Sequence, residues 1–160
     1  MAQKTGWATL IDGRIESGVQ DFTKRRGESN GMLFLRFNAW LNNMAEIPNQ
    51  SSLAIQIEGV QHYKFDLVVY ERAHHRGGAA TEIGVGLMTR AQEYAAHIGA
   101  EYMAVHTASL KKFATGNGRA SKEDMVFWAS KKMERFIEDD NEADALALLF
   151  FAIQEIGVKA

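Results

Sequence analysis

The chain has no cysteine and a single proline, Pro48. The first absence excludes a disulfide framework and any thiolate-bound metal. It also fits a reducing, cytosolic setting. Net charge is scarce: 18 Lys and Arg against 20 Asp and Glu leave −2 at neutral pH. Binding to a polyanion must therefore come from local clustering of basic residues. No apolar run approaches the ~20 residues that cross a bilayer. The opening residues Met1 to Gly6 are polar and lack the apolar core of a signal peptide. No membrane partner is expected. Internal repeats and low-complexity linkers are also missing.

What remains is 160 residues, 46% hydrophobic and 24% charged, the size and composition of one globular domain spanning residues 1–160. Residues 7–11 are apolar and lead into Asp12-Gly13, a type I′ hairpin signal, with residues 14–22 as the return strand. After a polar loop, Leu33, Phe34, Phe37, Trp40, Leu41 and Met44 recur at helical spacing. Pro48 is expected to end that helix. Residues 49–63 read either as a loose insertion or as a short strand carrying Leu53, Ile55 and Ile57. Residues 65–70 then predict a buried strand, 81–98 a helix and 101–106 another strand. A Gly-rich loop, residues 115–118, precedes a helix capped by Ser121 and Asp124. A last helix starts near Asn141. A hairpin followed by alternating helices and strands predicts an α/β domain with a mixed sheet.

Two carboxylates stand out. Glu71 closes the Leu67-Val-Val-Tyr70 run, and open α/β sheets build sites beyond the carboxyl ends of their strands. A solvated strand-end Glu is the alternative. Asp144 is the one charge in a stretch that otherwise reads Ala143, then residues 145–152 all apolar. A carboxylate on so apolar a helix needs a partner or a metal, unless it merely favours the helix dipole. Asp140 and Asn141 lie four and three positions earlier and share its face, whereas Glu142 falls on the other side and reads as solvated. Glu138 and Asp139 read as solvated acids. Carboxylates converging from distant segments suit Mg²⁺ and the two-metal hydrolysis of phosphodiesters.

Residues 111–135 hold seven basic residues (Lys111, Lys112, Arg119, Lys122, Lys131, Lys132 and Arg135) against three acidic ones. Such an excess suits a phosphate backbone. The last three of the seven equally suit a solvated helix face. Glycines in residues 115–119 would let backbone amides approach a phosphate, although the spacing is not that of a P-loop. A second cluster, Arg72, His74, His75 and Arg76, fits phosphate contact or plain surface better than a metal site.

Four segments taken together resemble the RuvC-like Holliday-junction resolvases, particularly their phage-type branch. They are Lys4-Thr-Gly-Trp-Ala8; Leu67-Val-Val-Tyr-Glu71 with the His-His-Arg-Gly-Gly78 run; residues 110–122; and Asp140-Asn-Glu-Ala-Asp144 with Ala-Leu-Ala147. They span nearly the whole chain in the family's order, and the last two are the most specific. The resemblance implies an RNase H-like mixed sheet flanked by helices, a homodimer, Mg²⁺ or Mn²⁺, and paired nicking of four-way or other branched DNA in a bacterial or phage-infected cell. It implies catalytic roles for Glu71, Asp144 and Lys111 and metal contacts from Glu71, Asp140, Asn141 and Asp144. Lys111, Lys112, Arg119, Lys122, His75 and Arg76 would meet DNA.

The family's pattern also has an aspartate at the end of a first, central strand, just before the position of Met1. Asp12 belongs to the hairpin turn and does not replace it. Either Met1 is an internal methionine of a longer protein, or the chain is a truncated, inactive relative that binds junctions. The expected consequence is an unstable sheet, or a hairpin closed directly onto the Val68-Val69 strand. An RNase H-like nuclease acting on another substrate is the remaining alternative.

Overall fold

The computed structural model describes residues 4–45, 65–72 and 78–157. Pro48, the stretch 49–63, His74, His75 and Arg76 lie outside them.

The chain opens with a hairpin, β1 (Lys4–Ile11) paired antiparallel with β2 (Arg14–Asp21). Asp12 and Gly13 both have positive φ, 50° and 76°, as a type I′ turn requires. Trp7 lies opposite Gly18, where a Cβ would stand 3.2 Å from the indole. Helix α1 (Asn30–Ala45) follows, then strand β3 (Leu67–Glu71), helix α2 (Ala79–Ile98) and strand β4 (Glu101–Val105), parallel to β3. Three helices complete the order: α3 (Thr107–Thr115), α4 (Lys122–Met133) and α5 (Asp140–Ile156).

Most expected elements are present, with displaced ends. The strand expected at 65–70 starts at Leu67 and takes Glu71 as its last residue. It is half-buried throughout rather than buried. Helix α3 was not foreseen, because only Leu110 among its nine residues is buried and its apolar pattern is thin. The capping box on α4 is present: Asp124 N donates to Ser121 Oγ, and Ser121 N donates to Asp124 Oδ2.

Two apolar clusters organise the domain. One joins Val105, Leu110, Met125, Ala129, Ile137, Ala143, Leu146 and Ala147, and closes α3, α4 and α5 on one another. Its small residues, Ala129, Ala143 and Ala147, are fully covered and let the helices approach closely. The other joins Phe22, Leu33, Phe37, Leu41, Tyr94 and Ile98 between α1 and α2, with Phe22 edge-on to Phe37 and Trp40.

The sheet is divided. Among the described residues it consists of two two-stranded pieces, β1-β2 antiparallel and β3-β4 parallel. The hairpin does not close onto β3. Instead β1 and β3 both line a cavity of about 650 Å³, where the resemblance places a central strand. Helix α5 packs against β1, β2 and β3, and α2 packs against β3 and β4.

Candidate metal centre and nucleic-acid face

Glu71 ends β3 and Asp144 sits in the second turn of α5, 73 residues later. The packing of α5 across β3 brings both to the wall of the same cavity, together with Asn141. Burial, and then the negative charges of Glu71 and Asp140, push the Asp144 carboxyl up from its ordinary range to about 6, against the opposing pull of Lys111 and Lys122. The two carboxylates predicted from sequence therefore share one electrostatic neighbourhood.

Glu71 and Asn141 each have their own support. Glu71 Oε1 accepts a hydrogen bond from Thr107 Oγ1, at the first turn of α3. Nothing in the sequence pattern singles out Thr107. Only the parallel pairing of β3 with β4 sets the start of α3 beside the end of β3. Asn141 donates from its backbone N and from Nδ2 to Asp139 Oδ1, at 2.9 and 2.7 Å. With Nδ2 so engaged, the amide oxygen is the part of Asn141 suited to a cation. Asp140 pairs instead with Lys122.

Of the acids read as solvated, Glu138 is exposed, but Asp139 and Glu142 behave otherwise. Asp139 is the N-cap of α5 and bonds Lys4 Nζ at 3.1 Å. Its hydrogen bonds to Asn141, reinforced by Lys4, hold its carboxyl below the usual range. Glu142 has only 13% of its side chain exposed, because Ser17 and Arg135 both donate to its Oε1, at 2.7 and 2.6 Å. Arg135 thus ties the end of α4 to β2 and α5 rather than solvating a helix face. The contacts of Ser17 with Glu142 and with Arg135 cross 125 and 118 positions of sequence, which local periodicity cannot reveal.

Gly6, inside the Lys4-Thr-Gly-Trp-Ala8 segment, explains why that segment is constrained. A Cβ built there would lie 1.8 Å from the backbone oxygen of Asn141. Strand β1 therefore lies backbone-to-backbone against the first turn of α5, the turn that carries Asp140 and Asn141.

The basic residues divide. Lys112 and Arg119 are exposed. Lys111 is half-buried and donates from Nζ to the carbonyl of Ala120 at 2.6 Å, which ties α3 to the loop before α4. Lys122 is exposed and holds Asp140, whose proximity raises its own pKa. Lys132 lies over the Phe150 ring, 4.7 Å from its centre. The Gly-rich loop turns most of its amides inward. Gly116 N donates to Lys112 O, Asn117 N to Thr115 Oγ1, Arg119 N to Asn117 Oδ1 and Ala120 N to Asn117 O. This corrects the expectation of an open amide cradle for phosphate. Beside Glu71, Arg72 Nη1 lies 3.1 Å from His106 Nε2, which sets a cationic group at the end of β3.

Among the described residues no group of three or more His, Asp or Glu is placed to hold one metal ion. Glu71 and Asp144, with the amide oxygen of Asn141, nonetheless form an all-oxygen donor set of the kind Mg²⁺ and Mn²⁺ accept. A cation there would relieve the like-charge repulsion felt by Asp144.

No protein-family model matches the sequence, and no curated relative does. Solved structures do match. A Thermus thermophilus RuvC structure aligns with a TM-score of 0.65 over 97% of this chain and 97% of its own, at 14% identity. T. thermophilus RuvC in complex with Holliday junction substrate aligns at 0.62 over 92% of this chain and 86% of its own, at 13% identity. The divided sheet with its flanking helices is thus an RNase H-like α/β fold of the RuvC type.

Proposed function

We propose that the chain is a metal-dependent, structure-selective DNA endonuclease of the resolvase type, which cuts four-way or other branched DNA by hydrolysing phosphodiesters. The observation that carries this reading is the convergence of Glu71 and Asp144 from distant segments onto one cavity wall. Glu71, Asp144 and the Asn141 oxygen would hold Mg²⁺ or Mn²⁺. A divalent ion at such a site polarises the phosphate and activates water. The protein's own groups prepare that site. Thr107 orients Glu71, Asp139 orients Asn141, and Lys111 and Lys122 favour the ionised, ligating form of Asp144. Lys112, Arg119 and Arg72 supply positive charge for the backbone of the DNA. A homodimer would present two such sites to a symmetric junction.

A second reading has one observation in its favour: three acidic or histidine ligands do not gather among the described residues. On that reading the chain binds junctions without cutting them. Incubation of an end-labelled four-way junction with the protein in Mg²⁺, and in Ca²⁺ as control, separates the two. Mg²⁺-dependent nicks lost in Asp144→Asn support the endonuclease. Salt-sensitive binding without nicks supports the binder. Cleavage of an RNA–DNA hybrid in preference to the junction would point to a different nuclease.

A further inference from the structure

Among the described residues, Arg36, Arg90 and Arg135 each pair with a carboxylate, that of Glu28, Glu93 or Glu142, and the acid offsets the charge it meets. Arg72 differs. Its Nη1 lies 3.1 Å from Nε2 of His106, and no carboxylate among the described residues forms an ion pair with it. A guanidinium has only donors, so Nε2 is the acceptor and the ring proton sits on Nδ1. The imidazole thus holds the arginine while leaving its positive charge in place.

The backbone sets this pair. Arg72 N donates to Val105 O at 2.8 Å, which carries the β3–β4 pairing one residue past Glu71. Thr107 Oγ1 donates to Glu71 Oε1, so two consecutive residues at the start of α3 hold two consecutive residues at the end of β3. His106 is the N-cap of α3, extended at φ −76° and ψ 138°, and its carbonyl accepts from Leu110 N at 3.0 Å. Leu110 is fully buried in the helical core, so the imidazole stands on a fixed backbone. Ser, Thr, Asp or Asn at that place would cap the helix. His106 makes no side-chain capping bond, and its ring engages Arg72 instead.

We infer that His106 is a positioning residue: it holds the Arg72 guanidinium at the carboxyl end of β3 to receive a phosphate of the DNA backbone beside the candidate metal centre. Arg72 is exposed and lines the same cavity as Glu71, Asn141 and Asp144. One N–H of the guanidinium goes to His106, and the remaining donors suit the paired bonds that a phosphate accepts. An arginine with no such support gives up its rotamer freedom when the phosphate arrives, and one already held gives up less. The inference rests on the DNA-binding part of the proposed function and not on cleavage.

Binding of a fluorescein-labelled four-way junction in Ca²⁺, over a range of salt concentrations, tests it. Arg72→Ala should weaken binding and lower its salt dependence by about one phosphate equivalent. His106→Ala should weaken binding roughly threefold to tenfold, with the arginine still present. His106→Gln, whose amide oxygen can accept from the guanidinium, should bind within about twofold of the parent. The double variant Arg72→Ala with His106→Ala should bind no more weakly than Arg72→Ala alone, since His106 acts through Arg72. Urea melts should be alike throughout, both side chains being exposed. Additive losses in the double variant would make His106 an independent contact and overturn the inference. So would parent-like binding by His106→Ala, or a loss that glutamine fails to restore. This binding pattern without nicks in Mg²⁺ would remove the endonuclease reading and leave the inference standing. A parent chain that binds no junction would remove both.

Discussion

The helical core and strand β3 both present apolar side chains, yet they are covered very differently. Leu110, Ala129, Ala143, Leu146 and Ala147, between α3, α4 and α5, are all fully buried. Leu67, Val68 and Val69, in β3, are all half-exposed. Helices satisfy their backbone internally, so three of them can close a core wherever their small faces meet. A strand satisfies only one edge per neighbour, so a sheet stays open until each strand has two. Stability and function are thereby separated: the helical core supplies rigidity, and the candidate site lies where that core meets the open sheet.

The widest test of this contrast is paired truncation. Leu146→Ala should cost about 2–5 kcal/mol, the range for fully buried leucines. Val68→Ala should cost well under half as much, since its surroundings are already open. Urea melts of both variants measure the difference, and equal losses would show that the sheet is as tightly covered as the helices.

Next is Gly6→Ala. The added methyl meets backbone, at Asn141, rather than a flexible side chain, so β1 must lift from α5. A loss of about 1–3 kcal/mol is expected from such overpacking. Metal affinity should fall with it, because the displaced turn carries Asn141. Gly13→Ala serves as comparison: it meets nothing within 4 Å but has φ of 76°, so it should cost stability through strain without changing metal affinity.

Asp144→Asn separates the two roles of one residue. A carboxyl raised to about 6 favours its protonated form in the folded state. Its contribution to stability is complete below the unfolded value near pH 4 and is lost as pH rises through 6. In metal-free buffer the asparagine variant should therefore be more stable than the parent at pH 8, by about 1–2 kcal/mol after allowance for partial exposure. The difference should vanish below about pH 4. Junction cleavage should disappear at every pH. Destabilisation at pH 8 would mean that Lys111 and Lys122 outweigh burial and the neighbouring acids.

Smaller effects belong to the groups around the carboxylates. Thr107→Val should remove about 1 kcal/mol of hydrogen bonding and weaken Mn²⁺ binding, with Thr107→Ser restoring both. Lys112→Ala and Arg119→Ala should each lower the salt dependence of junction binding by about one phosphate equivalent without altering the melt. Lys111→Ala should alter the melt as well, since it also loses its bond to Ala120.

Hairpin, capping box and the positions of every helix but α3 were legible because each depends on neighbours within a few residues: Asp12-Gly13 at the turn, Ser121 with Asp124, and leucines and phenylalanines at helical spacing. Glu71 and Asp144 were legible for a related reason, each being a charge set against an apolar run. Their partners were not. Thr107 reaches Glu71 only through the pairing of β3 with β4, and Glu142 meets Ser17 only because α5 lies across the hairpin. Gly6 reads in sequence as the end of a polar N-terminal stretch, and only the first turn of α5 packed against it explains why no side chain fits there. Local hydrogen bonding and side-chain periodicity are properties of the chain itself, so residue order alone determined the elements other than α3 and the two charges that stand out from them. Which edges remain open, which acids become ionised and which lysine braces a loop depend on packing between segments distant in sequence, and only the tertiary structure could decide them.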